Sequence, residues 1–344
     1  MRRPAARALT LGTLLVAVAL AGCAGTGSGD GLRLGYFPNV THAQALYGIQ
    51  TGLFANELGS HPFAATQFSA GPTAMEALLA GQVDATYVGP GPVLNSLAAT
   101  GSDVVRVIAG AASGGASFVL RSDVQITNDA DLAGKTFASP QLGNTQDLSL
   151  KDYLHAHGHA TKDRGGDVDV LNAANPDILT LFQKKQVDGA WVPEPWATRL
   201  VRDAGGHVLL DERSLWPGGQ FATTLLVTTK AYLASHPDQV HSLLVAHAQA
   251  THALQHANAS LVQTINDAIA AATGKALGKD LISESFTKLN FTNDPLSASL
   301  ATFGQKAGGL GLLRGSLPPL GAVIDLAPLN QVLSQRGEAG VPPA

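Results

Sequence analysis

The chain has 344 residues, with 22 Lys and Arg against 26 Asp and Glu, and a formal net charge of −4. This mildly acidic balance argues against a nucleic-acid partner, because nucleic-acid binding depends on clustered positive charge. Cys23 is the single cysteine of the sequence, which excludes an intrachain disulfide and a thiolate metal site. The length exceeds what one hydrophobic core usually supports, so the sequence predicts two lobes.

The N-terminal segment predicts export. Three arginines among the first seven residues precede an uncharged apolar run, Leu9–Ala21, which is typical of a secretory signal and too short for a transmembrane span. The small residues before Cys23 resemble the lipobox of bacterial lipoproteins, which implies a signal peptide over residues 1–22 and a lipid on the Cys23 thiol. An ordinary signal peptide with a chance cysteine is the alternative. Residues 23–31 are rich in glycine and predict a flexible tether.

Strands alternate with helices in the next part of the chain. The sequence predicts strands at 32–36, 64–68 and 82–88, and helices at 43–53, 74–80 and 93–99. This alternation predicts an α/β fold with mainly parallel sheets. Two more β-prone runs, 104–111 and 117–120, are predicted to carry the chain from the first lobe to the second.

The same plan recurs further along. The predicted strands are 135–138, 168–171 and 186–192, and the predicted helices are 148–158, 177–184 and 196–203. The tripeptide Gln-Val-Asp at 186–188 repeats the one at 82–84 at a separation of 104 residues. Such a long interval does not fit a solenoid and indicates two similarly built lobes.

A predicted return strand at 223–228 leads into a helical C-terminal part. The predicted helices there are 237–257, 261–272, 281–289 and 295–310. The resulting division gives lobe 1 residues 32–118 and 223–336, lobe 2 residues 119–222, and a short tail at 337–344. Because the chain crosses between lobes twice, we expect the ligand cleft to lie between them.

The candidate ligand sites are helix N-termini at the carboxyl ends of predicted strands. Free N–H groups and the helix dipole favour an anion at such positions, and glycines let the backbone approach a ligand closely. The candidates in lobe 1 are Asn39, Thr41, His42, Gly71, Pro72, Thr73, Gly89, Pro90 and Gly91, with Ser113 and Gly114 near the first crossing. Ordinary turn formation is the alternative for the Gly-Pro loops. These loops contain no Lys or Arg, so we expect reversible capture by neutral donors.

The turn at 139–147 is the main candidate in lobe 2. Asn144 can cap the following helix, with Asp147 as its capping-box partner. The cap and a ligand-binding role are compatible, because the other polar side chains can face the cleft. The candidate ligand residues are Gln141, Gly143, Asn144, Thr145 and Gln146. Asp147 is left out, because a carboxylate would repel an anion unless it points away.

Trp191, Glu194 and Trp196 form a second candidate group in lobe 2. An indole can wall a cleft and donate its N–H to a ligand oxygen, with packing between the lobes as the alternative. Glu194 can bind a ligand amine or hold a turn. The sequence has no nucleophile elbow, P-loop or HExxH motif, so we expect no catalysis, no cofactor and no metal.

Four segments together resemble the solute-binding proteins of the aliphatic sulfonate, taurine and nitrate ABC importers. They are GYFPNVTHA at 35–43, GQVD at 81–84, PQLGNTQD at 140–147 and EPW at 194–196. The resemblance extends over about residues 31–330. It implies a type II periplasmic-binding-protein fold, with two α/β lobes joined by a two-strand hinge, and candidate loops that line the cleft.

The resemblance also implies a transport role. A lipid-anchored protein on the outer face of the cytoplasmic membrane would capture a small organosulfonate and deliver it to an ABC permease and its ATPase; we expect a monomer. Nitrate or a thiamine-precursor pyrimidine is the alternative solute. A fold-related enzyme or an extracytoplasmic sensor is the alternative of another class.

Overall fold

The computed structural model describes residues 31–343. The predicted signal peptide, Cys23 and the tether up to residue 30 lie outside the described residues. Within 31–343, no helix combines the length and the apolar character needed to cross a bilayer.

A six-stranded sheet forms the first part of the fold. Its strands are β1 (Leu32–Tyr36), β2 (Phe63–Gln67), β3 (Ala85–Val88), β4 (Val105–Gly114), β10 (Ala222–Thr229) and β11 (Leu289–Phe291). Their order across the sheet is β11-β4-β10-β3-β1-β2. Strand β1 is parallel to β2 and β3, whereas β10 is antiparallel to β3 and β4, and β11 is antiparallel to β4.

A five-stranded sheet forms the second part. Its strands are β5 (Ala116–Leu120), β6 (Thr136–Pro140), β7 (Asp169–Ala173), β8 (Gly189–Pro193) and β9 (His207–Asp211). The order is β7-β6-β8-β5-β9. Strand β6 is parallel to β7 and β8, and β5 is antiparallel to β8 and β9. We call the layers around the six-stranded sheet lobe 1 and those around the five-stranded sheet lobe 2.

The two sheets share one plan, which confirms the predicted α/β class with two similarly built lobes. The run β2-β1-β3-β10-β4 in lobe 1 corresponds to β7-β6-β8-β5-β9 in lobe 2. Both sheets are mixed rather than mainly parallel. Each contains a strand that adjoins a point where the chain passes between the lobes, and this strand is antiparallel to its neighbours. Strand β5 enters lobe 2 and β10 returns to lobe 1, and both run opposite to the parallel strand beside them.

The repeated Gln-Val-Asp tripeptide performs the same task in both lobes. Asp84 accepts a hydrogen bond from the backbone N–H of Arg33 in β1, with N to Oδ2 at 2.8 Å. Asp188 accepts one from the backbone N–H of Thr136 in β6, also at 2.8 Å. Each aspartate therefore fixes the start of its lobe's first parallel strand, and the repeated tripeptide marks equivalent positions in the two lobes.

Helices cover the sheets. They are α1 (Ala43–Gln50), α2 (Leu53–Leu58), α3 (Gly71–Leu79), α4 (Pro90–Thr100), α5 (Thr145–Ala156), α6 (Asn175–Gln183), α7 (Trp196–Arg202), α8 (Lys230–Ser235), α9 (Pro237–Gln255), α10 (Ala259–Thr273), α11 (Lys279–Phe286), α12 (Ser297–Gly309) and α13 (Ala327–Gln335). Several begin with proline at the first or second position, where its missing N–H costs nothing. The predicted helix 43–53 ends at Gln50, and Gly52, whose φ is +71°, separates it from α2, which is not predicted from the sequence.

The core of lobe 2 lies on both faces of its sheet. Along β5, Phe118 and Leu120 pack in one apolar cluster and Val119 in another, as alternation along a strand requires. In lobe 1 every residue of β4 is buried. Burial on both faces explains why these strands are nearly continuous apolar runs in the sequence.

Candidate functional site

The predicted anion sites at the starts of α4 and α5 are in direct contact with each other. The backbone N–H of Gly91 donates to Thr145 Oγ1, with N to O at 3.1 Å. A Cβ on Gly91 would lie 2.9 Å from Thr145 N, and one on Gly89 would lie 2.3 Å from Thr145 Oγ1. No space for a solute remains between these two turns. Pro90, another predicted ligand residue, lies in the turn at the start of α4. They form a contact between the lobes.

The glycine turn before α3 joins the same contact. A Cβ on Gly71 would lie 2.9 Å from Asn144 Oδ1, and Asn144, Thr145 and Gln146 are all buried. Thr73 donates to Ala70 O at 2.9 Å within its own turn, and Gln141 is half-buried. Pro72 and Gly143 face a separate depression of about 360 Å³, which also contains Lys151, Arg164 and Arg314.

The expected capping box at the start of α5 does not form. The side chain of Asn144 makes no capping hydrogen bond. Asp147 Oδ2 instead accepts from Gly143 N and from Lys151 Nζ, each at 2.9 Å. Its Oδ1 accepts from Asn172 Nδ2 at 2.8 Å. The Asp147 carboxylate is thus directed into lobe 2, which agrees with its exclusion from the ligand set.

Ser113 and Gly114 lie at the crossing and not at a ligand cavity. Ser113 is fully buried, and its hydroxyl accepts from Phe221 N at 3.3 Å and pairs with Gln220 Oε1 at 3.2 Å. The φ of Gly114 is +76°, a left-handed conformation that glycine adopts readily. These residues tie the outgoing and returning segments of the chain together.

The structure places Trp191 and Glu194 in the protein interior, and neither lines the cavity between the lobes that is described below. Trp191 is fully buried, and its Nε1 donates to Glu212 Oε2 at 2.7 Å. The Glu194 carboxylate accepts from Thr198 Oγ1 and from Ser285 Oγ, each at 3.0 Å, and burial raises its pKa. Trp191 therefore belongs to the core of lobe 2, and Glu194 connects α7 to α11.

The His42 side chain packs against the loop after β1, and Thr41 precedes it in the chain. Both are almost fully buried. The His42 ring stacks on Phe37 at 4.3 Å between centroids, and His42 Nδ1 accepts from Phe37 N at 3.4 Å. Burial lowers the pKa of His42 to about 3. The imidazole is therefore neutral and stabilises the loop without contributing charge to a ligand.

A cavity of about 500 Å³ lies between the lobes and is the candidate ligand site. Of the predicted residues, it brings together Asn39 and Trp196, and Trp196 Nε1 donates across the cleft to Asn39 Oδ1 at 2.9 Å. The other lining residues are Phe37, Pro38, Gln67, Phe68, Ser69, Ile269, Ala272, Thr273, Lys275 and Leu277 from lobe 1, and Asn175, Pro176, Pro195 and Arg199 from lobe 2.

Two basic side chains line the cavity, which differs from the expectation of neutral donors alone. Arg199 and Lys275 line it, and no carboxylate does. Arg199 Nε bonds Asp203 Oδ2 at 3.1 Å, and its guanidinium lies 4.6 Å from the Trp196 ring centre, within cation–π distance. Arg199 could have been found in the sequence from its position one helical turn after Trp196. Lys275 could not, since it follows α10.

Asn175 is a further residue that sequence reasoning missed. It is the first residue of α6, a nine-residue helix whose N-terminus faces the cavity. Its side chain is more than nine-tenths buried, and its Oδ1 has no hydrogen-bond partner among residues 31–343. Because an unpaired buried polar atom is costly, this oxygen is suited to accept from a donor on a bound solute.

Sequence comparison finds a periplasmic binding protein similar to this chain. The taurine-binding periplasmic protein of Escherichia coli K12 is 29% identical over 174 residues, which is 51% of this chain and 52% of that protein. The chain therefore matches about half the length of its curated relatives.

Solved structures share the fold. The alkanesulfonate-binding protein SsuA of Xanthomonas axonopodis pv. citri, bound to MOPS, has a TM-score of 0.71 at 21% identity over 87% of this chain and 99% of its own. The nitrate-binding protein NrtA of Synechocystis PCC 6803 has a TM-score of 0.73 at 14% identity, over 90% and 89%. At these identities the likeness concerns the fold alone.

The resemblance to solute-binding proteins of the sulfonate, taurine and nitrate importers is confirmed by these comparisons. The sequence model of the NMT1-like family matches residues 27–268, well over half of the chain. The chain belongs to the NMT1-like family.

Proposed function

We propose that this protein is the solute-binding component of an ABC importer and captures an organosulfonate-type anion between its two lobes. The observation that carries the proposal is the cavity built from both lobes, which contains Arg199 and Lys275 and no carboxylate. The similarity to a taurine-binding and an alkanesulfonate-binding protein supports the anion class.

The side chains of the cavity suit reversible capture. Asp203 engages Arg199 through Nε, which leaves the terminal N–H groups of the guanidinium for two oxygens of a sulfonate or carboxylate. Lys275 is exposed and forms no ion pair with another of residues 31–343. The N-terminus of α6 adds a favourable dipole. A donor elsewhere on the solute would meet Asn175 Oδ1.

The cellular setting is proposed on other grounds. The apolar segment before Cys23 supports export and lipid attachment to the outer face of the cytoplasmic membrane. The periplasmic location in the name of the E. coli relative agrees with export. We propose that the protein acts as a monomer, binds without chemical turnover, and passes its solute to a permease driven by an ATPase. A Cys23→Ser variant should leave the membrane fraction; its retention there would contradict the anchor.

Calorimetry with a panel of sulfonates, carboxylates and nitrate tests the binding role. Lys275→Ala should weaken the best ligand by roughly tenfold, because a charge-assisted hydrogen bond contributes about 1.5–3 kcal/mol when well formed and less when exposed. Lys279→Ala is the matched control, since Lys279 begins α11 outside the cavity. If no anion binds to the folded protein, or if both variants weaken binding equally, the proposed site is wrong. Recovery of chemically altered ligand would instead indicate an enzyme.

A further inference from the structure

We infer that the solute of this cavity is an aromatic acid, a compound in which a planar ring carries a sulfonate or carboxylate group. The inference rests on the proposed function for its anionic group. The ring is inferred from the lining of the cavity, from its size and from the position of its positive charges.

Flat, rigid side chains form most of the apolar walls. Phe37 and Phe68 lie on the lobe 1 side, and Trp196 faces them from lobe 2. Three prolines, Pro38, Pro176 and Pro195, extend these walls, and the aliphatic Ile269, Ala272 and Leu277 make up the remaining apolar lining. Aromatic side chains prefer to pack on other aromatic rings, in stacked or edge-to-face geometry, by more than the buried area alone explains. The walls therefore favour a planar ring over a flexible alkyl chain.

Two of these rings are held in place before any solute arrives. The Trp196 indole is fixed by its hydrogen bond to Asn39 and by the Arg199 guanidinium 4.6 Å from the ring centre. Phe37 is fixed by the His42 ring stacked on it. A preformed wall loses little conformational entropy on binding, which strengthens its preference for a matching shape.

The volume also favours a ring. A cavity of about 500 Å³ lies within the range of about 300–1,000 Å³ that is typical of sites for drug-sized ligands. A compact aminosulfonate such as taurine would leave most of the apolar wall exposed to water. A ring with its acidic group would cover that wall.

The positive charges mark one end of the cavity. Arg199, Lys275 and Leu277 also line a second cavity of about 430 Å³, so they lie at the boundary between the two spaces. The second cavity contains Asp203 and no aromatic side chain. The acidic group thus belongs at this boundary, and the ring belongs in the first cavity among Phe68 and Trp196.

Calorimetric titration with benzenesulfonate and cyclohexanesulfonate tests the inference, because the two differ mainly in planarity and aromaticity. We expect benzenesulfonate to bind about tenfold more tightly, from stacking increments of about threefold to tenfold for each ring contact. Equal or tighter binding of cyclohexanesulfonate would overturn the aromatic inference while leaving the capture of anions intact. Failure of both, and of taurine, would overturn the proposed function as well.

Phe68→Leu locates the ring. The variant should reduce the preference for benzenesulfonate to within about twofold while retaining the binding of cyclohexanesulfonate. Phe63→Leu is the matched control, since Phe63 is also half-buried but lies at the other end of β2, stacked on Phe54 and outside the cavity. A full preference in Phe68→Leu, or equal losses in the two variants, would overturn the placement of the ring.

Discussion

The buried carboxyl group of Glu212 should make the free energy of unfolding decrease as the pH rises. Its carboxyl lies fully inside lobe 2, where it accepts from Ser149 Oγ and from Trp191 Nε1, each at 2.7 Å. Burial raises its pKa from 4.5 to about 7, although these hydrogen bonds act in the opposite direction. The folded protein therefore retains a proton between pH 4.5 and 7 that the unfolded chain releases.

The sign and size of the effect follow from proton linkage. Where the folded state binds more protons than the unfolded state, the free energy of unfolding falls as the pH rises. The rise in pKa corresponds to a penalty of about 3 kcal/mol, which is fully developed above pH 7. Below pH 4.5 the penalty disappears, because the carboxyl is protonated in both states.

Glu212→Gln tests this account, because an amide resembles the protonated carboxyl and does not ionise. The variant should be more stable than the parent by up to about 3 kcal/mol at pH 8, and the two should converge near pH 4.5. Urea unfolding at intervals of pH measures the difference. Glu76→Gln, on the exposed side of α3, is the control. A difference between Glu212→Gln and the parent that does not vary with pH would refute the argument.

Two further predictions concern contacts described above. Gly91→Ala places a Cβ 2.9 Å from the backbone of Thr145, so the variant should hold the lobes apart. Small-angle scattering would then show a larger radius of gyration than for the parent. Gly309→Ala, with open space around residue 309, should leave the radius unchanged, and an unchanged radius for both variants would contradict the contact. Asp84→Ala leaves the backbone N–H and the guanidinium of Arg33 without their acceptor. Urea unfolding should therefore show that the free energy of unfolding falls by about 2–3 kcal/mol. A decrease below about 0.5 kcal/mol would show that the contact is unimportant for stability.

The sequence predicts the parallel strands of both lobes well, because a regular alternation of apolar strands and helices identifies them. It misses β9 and β11. Strand β11 has only three residues, and β9 is partly exposed at a sheet edge, so neither shows the apolar run or the strict alternation that identifies a strand. The sequence also cannot show that β10 and β5 run antiparallel to their neighbours, since strand direction depends on the tertiary path.

The sequence predicts the candidate site at helix N-termini beside strand ends, and of those predicted residues Asn39 and Trp196 line the cavity between the lobes. Local patterns identify helix N-termini, yet they do not show which N-termini touch. The starts of α4 and α5 meet through Gly91 and Thr145, which leaves the cavity to the loops after β1 and β2. Lys275 reaches that cavity only because α10 packs in lobe 1, about 80 residues along the chain from Trp196.

The paired aspartates carry an implication for how this protein can be altered. Asp84 and Asp188 each secure a first strand from within the same lobe, so neither lobe borrows this support from the other. Phe68 and Arg199, on opposite sides of the cavity, thus belong to lobes whose first strands are secured independently. A chimera that takes the whole of lobe 2 from a relative would replace Arg199 and Trp196 together while leaving Phe68 and Lys275 of lobe 1 unaltered. The molecule is, in this respect, modular.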